Sequence, residues 1–175
     1  KRGQLTRSET FKAPYAAMVH DFVVTREHVI FPIMPLTGSM ERAMSGAPVY
    51  AWEPEVGVHV GIMPREGTVA DMRWFRGDID GYVFHLMNAH TDGDIVTCDV
   101  CEFEQAPLFP APDGTPGDPS KAVPRLTRWT FDLSQNSDSY KWERLDDLAC
   151  EFPRLDERFA GLDYRYGYFA CDTNP

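Results

Sequence analysis

Two histidines have the residue type and setting needed to bind a metal ion. His20 follows the apolar Val19 and His85 follows the apolar Phe84, and each stands within or at the edge of a strand-like run. Neutral imidazole is a good ligand for iron, zinc and copper. A single histidine in such a place is more often a hydrogen-bonded core residue. The two would form a metal site only if the fold brings them together.

A carboxylate is expected beside a metal-bound histidine, because it accepts the N–H of the second ring nitrogen. Asp21 is a poor candidate for His20, since neighbouring residues of a strand face opposite sides. Glu151, in the segment CEFPRLDERF, has an apolar setting that disfavours an unpaired charge. The alternative is that Glu151 is a rim residue at the end of a strand.

The other candidate ligands carry weaker signals. Cys98 and Cys101 have CxxC spacing, but the chain has no second CxxC, and residues three apart on a strand face opposite sides. Free thiols, buried or half-buried, in a protein of the reducing cytoplasm are therefore expected. His28, His59 and His90 are expected to face solvent or a neighbouring strand. The sequence contains no pattern of a serine hydrolase, a zincin or a nucleotide-binding loop.

Composition limits the class of protein. The chain has 175 residues, of which 43% are hydrophobic, and this favours one globular domain over residues 1–175. The Pro- and Gly-rich segment 110–124 is predicted to be a surface loop of that domain. A net charge of −10 argues against nucleic-acid binding, which needs a basic face. No apolar run approaches the roughly 18 residues that span a bilayer.

Strand patterns dominate the chain. Apolar runs at 17–24 and 28–34 flank a short polar connection and predict a β-hairpin that carries His20 in its first strand. The one predicted helix covers 38–47. Many short strands with turns between them favour an all-β sandwich, barrel or propeller. The further predicted strands cover 57–63, 82–87, 94–103, 125–133, 140–152 and 165–171.

Five segments combine these features in a specific order. They are MVHDFVVTREHVIFPIMPL (18–36), GIMPREG (61–67) followed by RWF (73–75), VFHLMNAHTDGD (83–94), LTRWTFDL (126–133) and CEFPRLDERFAGLDYRYGYF (150–169). Together they resemble the carotenoid cleavage oxygenase family. This family includes carotenoid and apocarotenoid dioxygenases, bacterial lignostilbene dioxygenases and the retinoid isomerase of the retinal pigment epithelium.

The resemblance implies a fold, a cofactor and a set of ligands. The fold is part of a seven-bladed β-propeller, with roughly three blades in this chain. The cofactor is a non-haem Fe(II) held by four histidines, which cleaves an alkene with O2 into two carbonyl products. The family's HDF and FHxxNA motifs place two ligands at His20 and His85, and its EFP motif makes Glu151 a partner of a ligand histidine, expected to be His85.

The remaining two ligands are expected outside this chain. No histidine precedes His20 and none follows His90. We therefore expect an internal fragment of a longer protein, unable to hold iron well or to cleave a substrate when isolated. After FHxxNA the chain departs from the family's usual residues, and His90-Thr91-Asp92-Gly93 is predicted to be a loop variation near the entrance to the site.

The expected substrate is a small hydrophobic or phenolic alkene, together with O2. The stretch AWEPEVGVHVGIMPREG (51–67) looks like the lignostilbene branch, so a stilbene-type substrate stands slightly ahead of an apocarotenoid. Two alternatives remain: a retinoid-type isomerase with the same iron centre, and a non-catalytic β-domain for protein contacts. We expect a bacterial cytoplasmic protein, and membrane contact through parts outside this stretch stays open.

Overall fold

The protein folds into antiparallel sheets. The computed structural model describes residues 3–171. A four-stranded sheet has the order β1-β2-β5-β6, a five-stranded sheet has the order β11-β10-β9-β8-β7, and β3 pairs with β4. The strands are β1 (Val23–Val24), β2 (His28–Ile33), β3 (Leu36–Gly38), β4 (Tyr50–Trp52), β5 (His59–Pro64), β6 (Arg73–Arg76), β7 (Tyr82–Asp92), β8 (Ile95–Phe103), β9 (Arg125–Asp132), β10 (Lys141–Leu155) and β11 (Gly167–Cys171).

The first sheet contains the predicted hairpin, but its first strand is much shorter than the predicted 17–24. Only Val23–Val24 pairs with β2. Ahead of it, Ala17 forms an isolated antiparallel bridge with Thr37 of β3. Residue 17 therefore pairs with β3, whereas residues 23 and 24 pair with β2. His20 lies in the connection between these two pairings, so the prediction that it stands in a strand is wrong.

The second sheet follows the predicted strands closely. On β9, Thr127, Trp129 and Phe131 are buried and alternate with half-buried residues, as the period of two in the sequence predicts. Strand β8 is central in the sheet and buried over most of its length. Strand β7 continues to Asp92, so His90-Thr91-Asp92 belongs to a strand and the predicted loop variation there is wrong.

The helix lies close to its predicted range of 38–47. Helix α1 spans Met40–Ser45, the side chain of Ser39 accepts a hydrogen bond from the backbone N–H of Arg42, and Gly46 ends the helix in the left-handed conformation. Three strands were not predicted, namely β3, β4 and β6. They have three or four residues each, and this is too short for a period of two to stand out.

The two large sheets share one core. Phe75 of β6 and Phe131 of β9 are fully buried, and their rings meet edge to face with centroids 5.1 Å apart. Trp129 and Tyr82 are fully buried in the same cluster. Each large side chain buried in this way contributes about 1.5–3 kcal/mol. The shared core fixes the first sheet relative to β7 and thereby positions the segment that carries His20.

The connection between β8 and β9 includes the segment 110–124. It contains one 3₁₀ turn, Pro119–Lys121, in which the Asp118 side chain accepts a hydrogen bond from the Ser120 backbone N–H. The backbone N–H of Trp52 donates to the Pro110 carbonyl, and this contact ties the start of the segment to β4. Across residues 3–171, no helix is long and apolar enough to cross a membrane.

Candidate metal centre

His85 lies on β7 where the pairing with β8 is irregular. The register shifts between Val83 and Leu86 and again between Leu86 and Asn88. Such irregularities re-aim side chains and are frequent beside functional sites. The Nδ1 atom of His85 lies 2.6 Å from Oε2 of Glu151, 66 residues away in the sequence. The structure thus brings Glu151 to His85, as the sequence analysis expected.

Glu151 stands at a second irregular pairing. The register of β10 against β11 shifts between Glu151 and Arg154, and Phe152 adopts a positive φ of 54°. The backbone N–H of Phe152 donates to Oε2 of Glu151 over 2.6 Å, so this oxygen is held by two donors. Oε1 of Glu151 is buried and has no hydrogen-bond partner among the described residues. Oε2 therefore fixes the position of the carboxylate, and Oε1 can still accept a hydrogen bond.

His20 reaches β7 from the neighbouring segment. Its Nδ1 atom lies 2.9 Å from the carbonyl oxygen of Phe84, the residue before His85. Its ring meets the Phe84 ring edge to face at 5.1 Å between centroids. Asp21 instead accepts a hydrogen bond from the backbone N–H of Phe22, so it is not the partner of His20.

The rings of His20 and His85 lie side by side. Their centroids are 5.2 Å apart and their planes are at 89°. The oxygens of Phe84 and Glu151 that contact the two Nδ1 atoms are acceptors, so each Nδ1 carries the hydrogen and each neutral ring keeps its lone pair on Nε2. This is the state in which an imidazole can bind a metal.

The separation of the two rings suits two imidazole ligands on one metal ion. Metal–nitrogen bonds of about 2.1 Å would place the centroids of two imidazoles on one ion roughly 4.5–5.5 Å apart, and the observed separation lies in this range. Within residues 3–171, however, no group of three or more His, Cys, Asp or Glu side chains is placed to hold a metal. The described residues thus place two histidines together without a third side chain positioned to bind the same ion.

Aromatic side chains border the two histidines. The ring of Phe152 lies 5.4 Å from that of His85, and the side chain of Phe152 is 61% exposed. Phe84 contacts the rings of both histidines. Phe84 and Phe152 thus place apolar surface beside the two histidines.

The other histidines lie away from the pair and have different partners. Nδ1 of His28 contacts Oγ1 of Thr91 at 3.2 Å, and burial lowers the pKa of His28. His59 packs edge to face on Tyr15, and burial also lowers its pKa. His90 has a buried Nδ1 without a hydrogen-bond partner among the described residues.

Cys98 and Cys101 do not form the metal or redox site that CxxC spacing can indicate. Cys98 and Cys101 are both buried on β8, and burial raises the pKa of Cys98 well above its usual range. Sγ of Cys101 lies 3.7 Å from Sγ of Cys150 on β10. Cys98, Cys101 and Cys150 are thus free and buried, and Cys171 is free and half-buried, as the sequence analysis expected.

Sequence reasoning missed two polar residues of β7 near the histidines. The Asn88 side chain holds the segment that follows β10, and Thr91 contacts Thr25, near the His20 segment. Asn88 belongs to the FHxxNA motif, so a signal was present, but the motif does not reveal which backbone groups the amide meets. Thr91 had no signal in the pattern.

Comparison with known proteins gives a consistent result. The family model described as Retinal pigment epithelial membrane protein matches residues 1–175. Isoeugenol monooxygenase of Pseudomonas putida is 47% identical over 171 residues, which are 97% of this chain and 36% of that protein. Lignostilbene-alpha,beta-dioxygenase isozyme III of Sphingomonas paucimobilis is 36% identical over 95% of this chain and 35% of that protein.

Solved structures agree in fold. The crystal structure of Pseudomonas brassicacearum lignostilbene dioxygenase aligns with a TM-score of 0.86 and 39% identity, covering 91% of this chain and 34% of that one. The chain therefore spans about a third of the length of the relatives it matches. The prediction of an all-β fold that forms part of a seven-bladed β-propeller is confirmed.

Proposed function

Because this chain belongs to the retinal pigment epithelial membrane protein family, the family of the carotenoid cleavage oxygenases, we propose that the whole protein is an Fe(II)-dependent oxygenase that cleaves a carbon–carbon double bond. The observation that carries the proposal is the contact between His20 and His85, in which both Nδ1 atoms are bonded and both Nε2 lone pairs are left for a metal. His20 and His85 would hold the ion together with ligands from outside this chain.

The residues of this chain would set the orientation of the ligands. Glu151 accepts the Nδ1–H of His85 and the Phe84 carbonyl accepts that of His20, so neither ring can rotate or change tautomer without losing a hydrogen bond. Partners of this kind fix the ring and raise the basicity of the coordinating nitrogen. The chemistry supplied by bound Fe(II) is the activation of O2, for which a site of neutral imidazoles with open positions is suited.

The reaction consumes one alkene and one O2 and forms two carbonyl compounds. The carbon–carbon double bond breaks, and each of its carbons gains a double bond to one oxygen atom. In a dioxygenase both of these oxygen atoms come from the same O2. No further reductant is needed, because the four electrons that O2 takes up come from the alkene.

The proposed substrate is a phenolic alkene. Two relatives carry names that refer to isoeugenol and to lignostilbene, and both compounds join a phenol to a conjugated double bond. Carotenoid cleavage oxygenase of Mycobacterium tuberculosis is also similar, at 35% identity, so an apocarotenoid is the competing substrate. The aromatic rings of Phe84 and Phe152 beside the histidines favour a ligand with a flat conjugated system.

Product analysis tests this proposal. The whole protein is loaded with Fe(II) and exposed to O2 with isoeugenol, hydroxystilbenes and apocarotenals, and the products are identified by mass spectrometry. Aromatic aldehydes are the expected products, and shortened apocarotenals would assign the carotenoid branch. Label from 18O2 in both carbonyl products, read at short times before exchange with water, identifies a dioxygenase.

Two outcomes would contradict the proposal. Isomerised product without cleavage, at full iron occupancy, would favour the retinoid-type isomerase. A whole protein that binds no iron and leaves every alkene intact would favour the non-catalytic β-domain.

A further inference from the structure

The Asn88 side chain joins β7 to the segment that follows β10. Its Nδ2 donates to the carbonyl oxygens of Phe159 and Leu162, over 3.1 and 3.0 Å, and its Oδ1 accepts from the backbone N–H of Gly161 at 2.9 Å. Both amide hydrogens and one acceptor site are therefore used, and this fixes the orientation of the amide. Asn88 is 3% exposed, so loss of any of these contacts leaves a buried polar group unpaired.

The same segment rests on the chain that carries His20. Gly161 is buried and has a φ of +76°. A Cβ atom at this position would lie 3.0 Å from the Val24 carbonyl oxygen and 3.4 Å from backbone atoms of Thr25. Only glycine allows both this backbone conformation and this close approach. Residues 157–162 are thus held between β7 on one side and β1 on the other.

A second contact joins β1 to β7 directly. The hydroxyls of Thr25 and Thr91 are 2.8 Å apart, and Thr25 is 1% exposed. Oγ1 of Thr25 also accepts from the backbone N–H of His28, so the hydroxyl is fixed by its own turn. Asn88, Gly161 and the Thr25–Thr91 pair therefore form a closed set of contacts, which we call the Asn88 clamp.

Each part of the clamp follows a residue of the candidate metal centre along the chain. Asn88 stands three residues after His85, Thr25 five residues after His20, and the clamped segment begins six residues after Glu151. His20 is itself outside any strand, so strand pairing does not hold it. The clamp holds the segment that carries His20 through contacts other than strand pairing.

We propose that Asn88 is a positioning residue of the iron site: by fastening 157–162 between β7 and β1, its amide sets the distance between His20 and His85. This inference rests on the proposed function, because it assumes that the two histidines bind one ion. Asn88, the asparagine of the FHxxNA motif, would thus act by binding the backbone of Phe159, Gly161 and Leu162. It would not contact the metal.

The test uses the whole protein loaded with Co(II), whose visible absorption reports ligand geometry without turnover. Asn88→Ala is expected to lower Co(II) affinity, measured by competition with a chelator, by about tenfold or more. It is also expected to change the Co(II) absorption bands and to speed amide hydrogen exchange over 157–162. Gly161→Ala leaves β7 intact but pushes the segment away from β1, and the same changes are expected.

Ile33→Ala is the matched control. Ile33 is buried on β2, pairs with His59 of β5 and is not part of the core shared by the two sheets, so its truncation lowers stability without touching the clamp. Its Co(II) spectrum and affinity should stay at the wild-type values. Folded Asn88→Ala and Gly161→Ala proteins with the wild-type spectrum and affinity would overturn the inference, since a purely structural role would give that result.

The proposed function is tested separately in the same experiment. A wild-type protein that binds no Co(II), or a His85→Ala protein that binds it as tightly as the wild type, would remove the metal site and the inference with it. Wild-type binding that depends on His85 but not on Asn88 or Gly161 would leave the proposed function standing and remove the inference alone.

Discussion

At the scale of single residues, the contact between His85 and Glu151 gives the most direct prediction. In the whole protein, His85→Ala should abolish iron retention, because it removes a ligand. Glu151→Gln should weaken Fe(II) binding by about 10–100-fold, because the neutral amide is a weaker acceptor for the His85 N–H than the carboxylate. Iron per protein, measured by elemental analysis after competition with a chelator, checks both.

His59→Ala is the control for these variants. His59 lies on β5 beside Tyr15, in the other sheet, and should be replaceable without loss of iron. Full iron occupancy in the His85→Ala protein would refute the assignment of His85 as a ligand.

Glu102 gives a prediction about stability and pH. Burial raises the pKa of Glu102 to about 7, against the hydrogen bond from Nε1 of Trp142, which lowers it. Between pH 4.5 and about 7, the Glu102 carboxyl therefore keeps its proton in the folded protein. In the unfolded chain, where its pKa is near the ordinary 4.5, it has released that proton. Below pH 4.5, Glu102 is protonated in both states and does not lower the free energy of unfolding. As the pH rises from 4.5 to about 7, the free energy of unfolding falls, because the buried carboxyl resists ionisation in the folded protein.

The expected loss across this interval is on the order of 3 kcal/mol. Urea unfolding of the whole protein at pH 4.5 and pH 8, compared with Glu102→Gln, isolates the contribution, because glutamine cannot ionise. Equal pH dependence in the two proteins would mean that Glu102 titrates normally.

At the scale of the elements, an ionic contact with a buried carboxylate joins β8 to β9 in the second sheet. Asp99 of β8 accepts from Nε and Nη2 of Arg128 on β9, over 2.7 and 2.8 Å, and from the hydroxyl of Tyr164 at 2.6 Å. Asp99 is 3% exposed, and burial of Tyr164, together with its hydrogen bond to the Asp99 carboxylate, raises the pKa of Tyr164. The contact joins two central strands to the segment that precedes β11.

Asp99→Ala should lower the free energy of unfolding by about 2 kcal/mol, because Arg128 and Tyr164 both lose a charged partner. Chemical denaturation of the whole protein measures the change. Glu143→Ala removes the exposed ion pair with Lys141 on the same sheet and should have no measurable effect. Equal stability of the Asp99→Ala protein and the wild type would contradict this account.

The elements also explain why the site stands where it does. His85 lies at the register shift between Val83 and Leu86 of β7, and Glu151 is the last residue of β10 to pair with β11 before a register shift. A regular antiparallel ladder would fix each side chain to one face, whereas an irregular pairing lets two strands turn their side chains toward each other.

At the scale of the whole molecule, the chain carries a partial ligand set on a partial propeller. The isolated 175 residues should not retain Fe(II) through desalting, because two imidazoles bind less tightly than a complete set of ligands. Strands β1, β6, β7 and β11 are the edges of the two large sheets, so the isolated chain should also associate through unpaired edges.

Iron content after desalting and light scattering, with the whole protein as the control, check these expectations. A monomer of the isolated chain that keeps one Fe(II) would contradict them.

Local pattern was enough for most of the strands. The runs at 28–34, 94–103 and 125–133 are long enough for their alternation or apolar content to be read, and each became a strand of nearly the predicted length. Strands β3, β4 and β6 were missed because three or four residues carry too little periodicity. The error at 17–24 arose because the same run pairs with two different strands, and pairing partners are not encoded in a local pattern.

The residue types of the site were also determined by the sequence, through the HDF, FHxxNA and EFP motifs that contain His20, His85 and Glu151. The resemblance already implied that Glu151 is the partner of His85, and the structure places Oε2 of Glu151 2.6 Å from Nδ1 of His85. Only the tertiary structure decided that His20 lies beside His85 and that Asn88 binds the backbone of the segment after β10. These contacts depend on how two sheets pack on a shared core and on where strand pairing becomes irregular. Sheet packing and irregular pairing are properties of the folded chain. Each contact joins groups that are far apart in sequence, so it forms only once the intervening strands are in place.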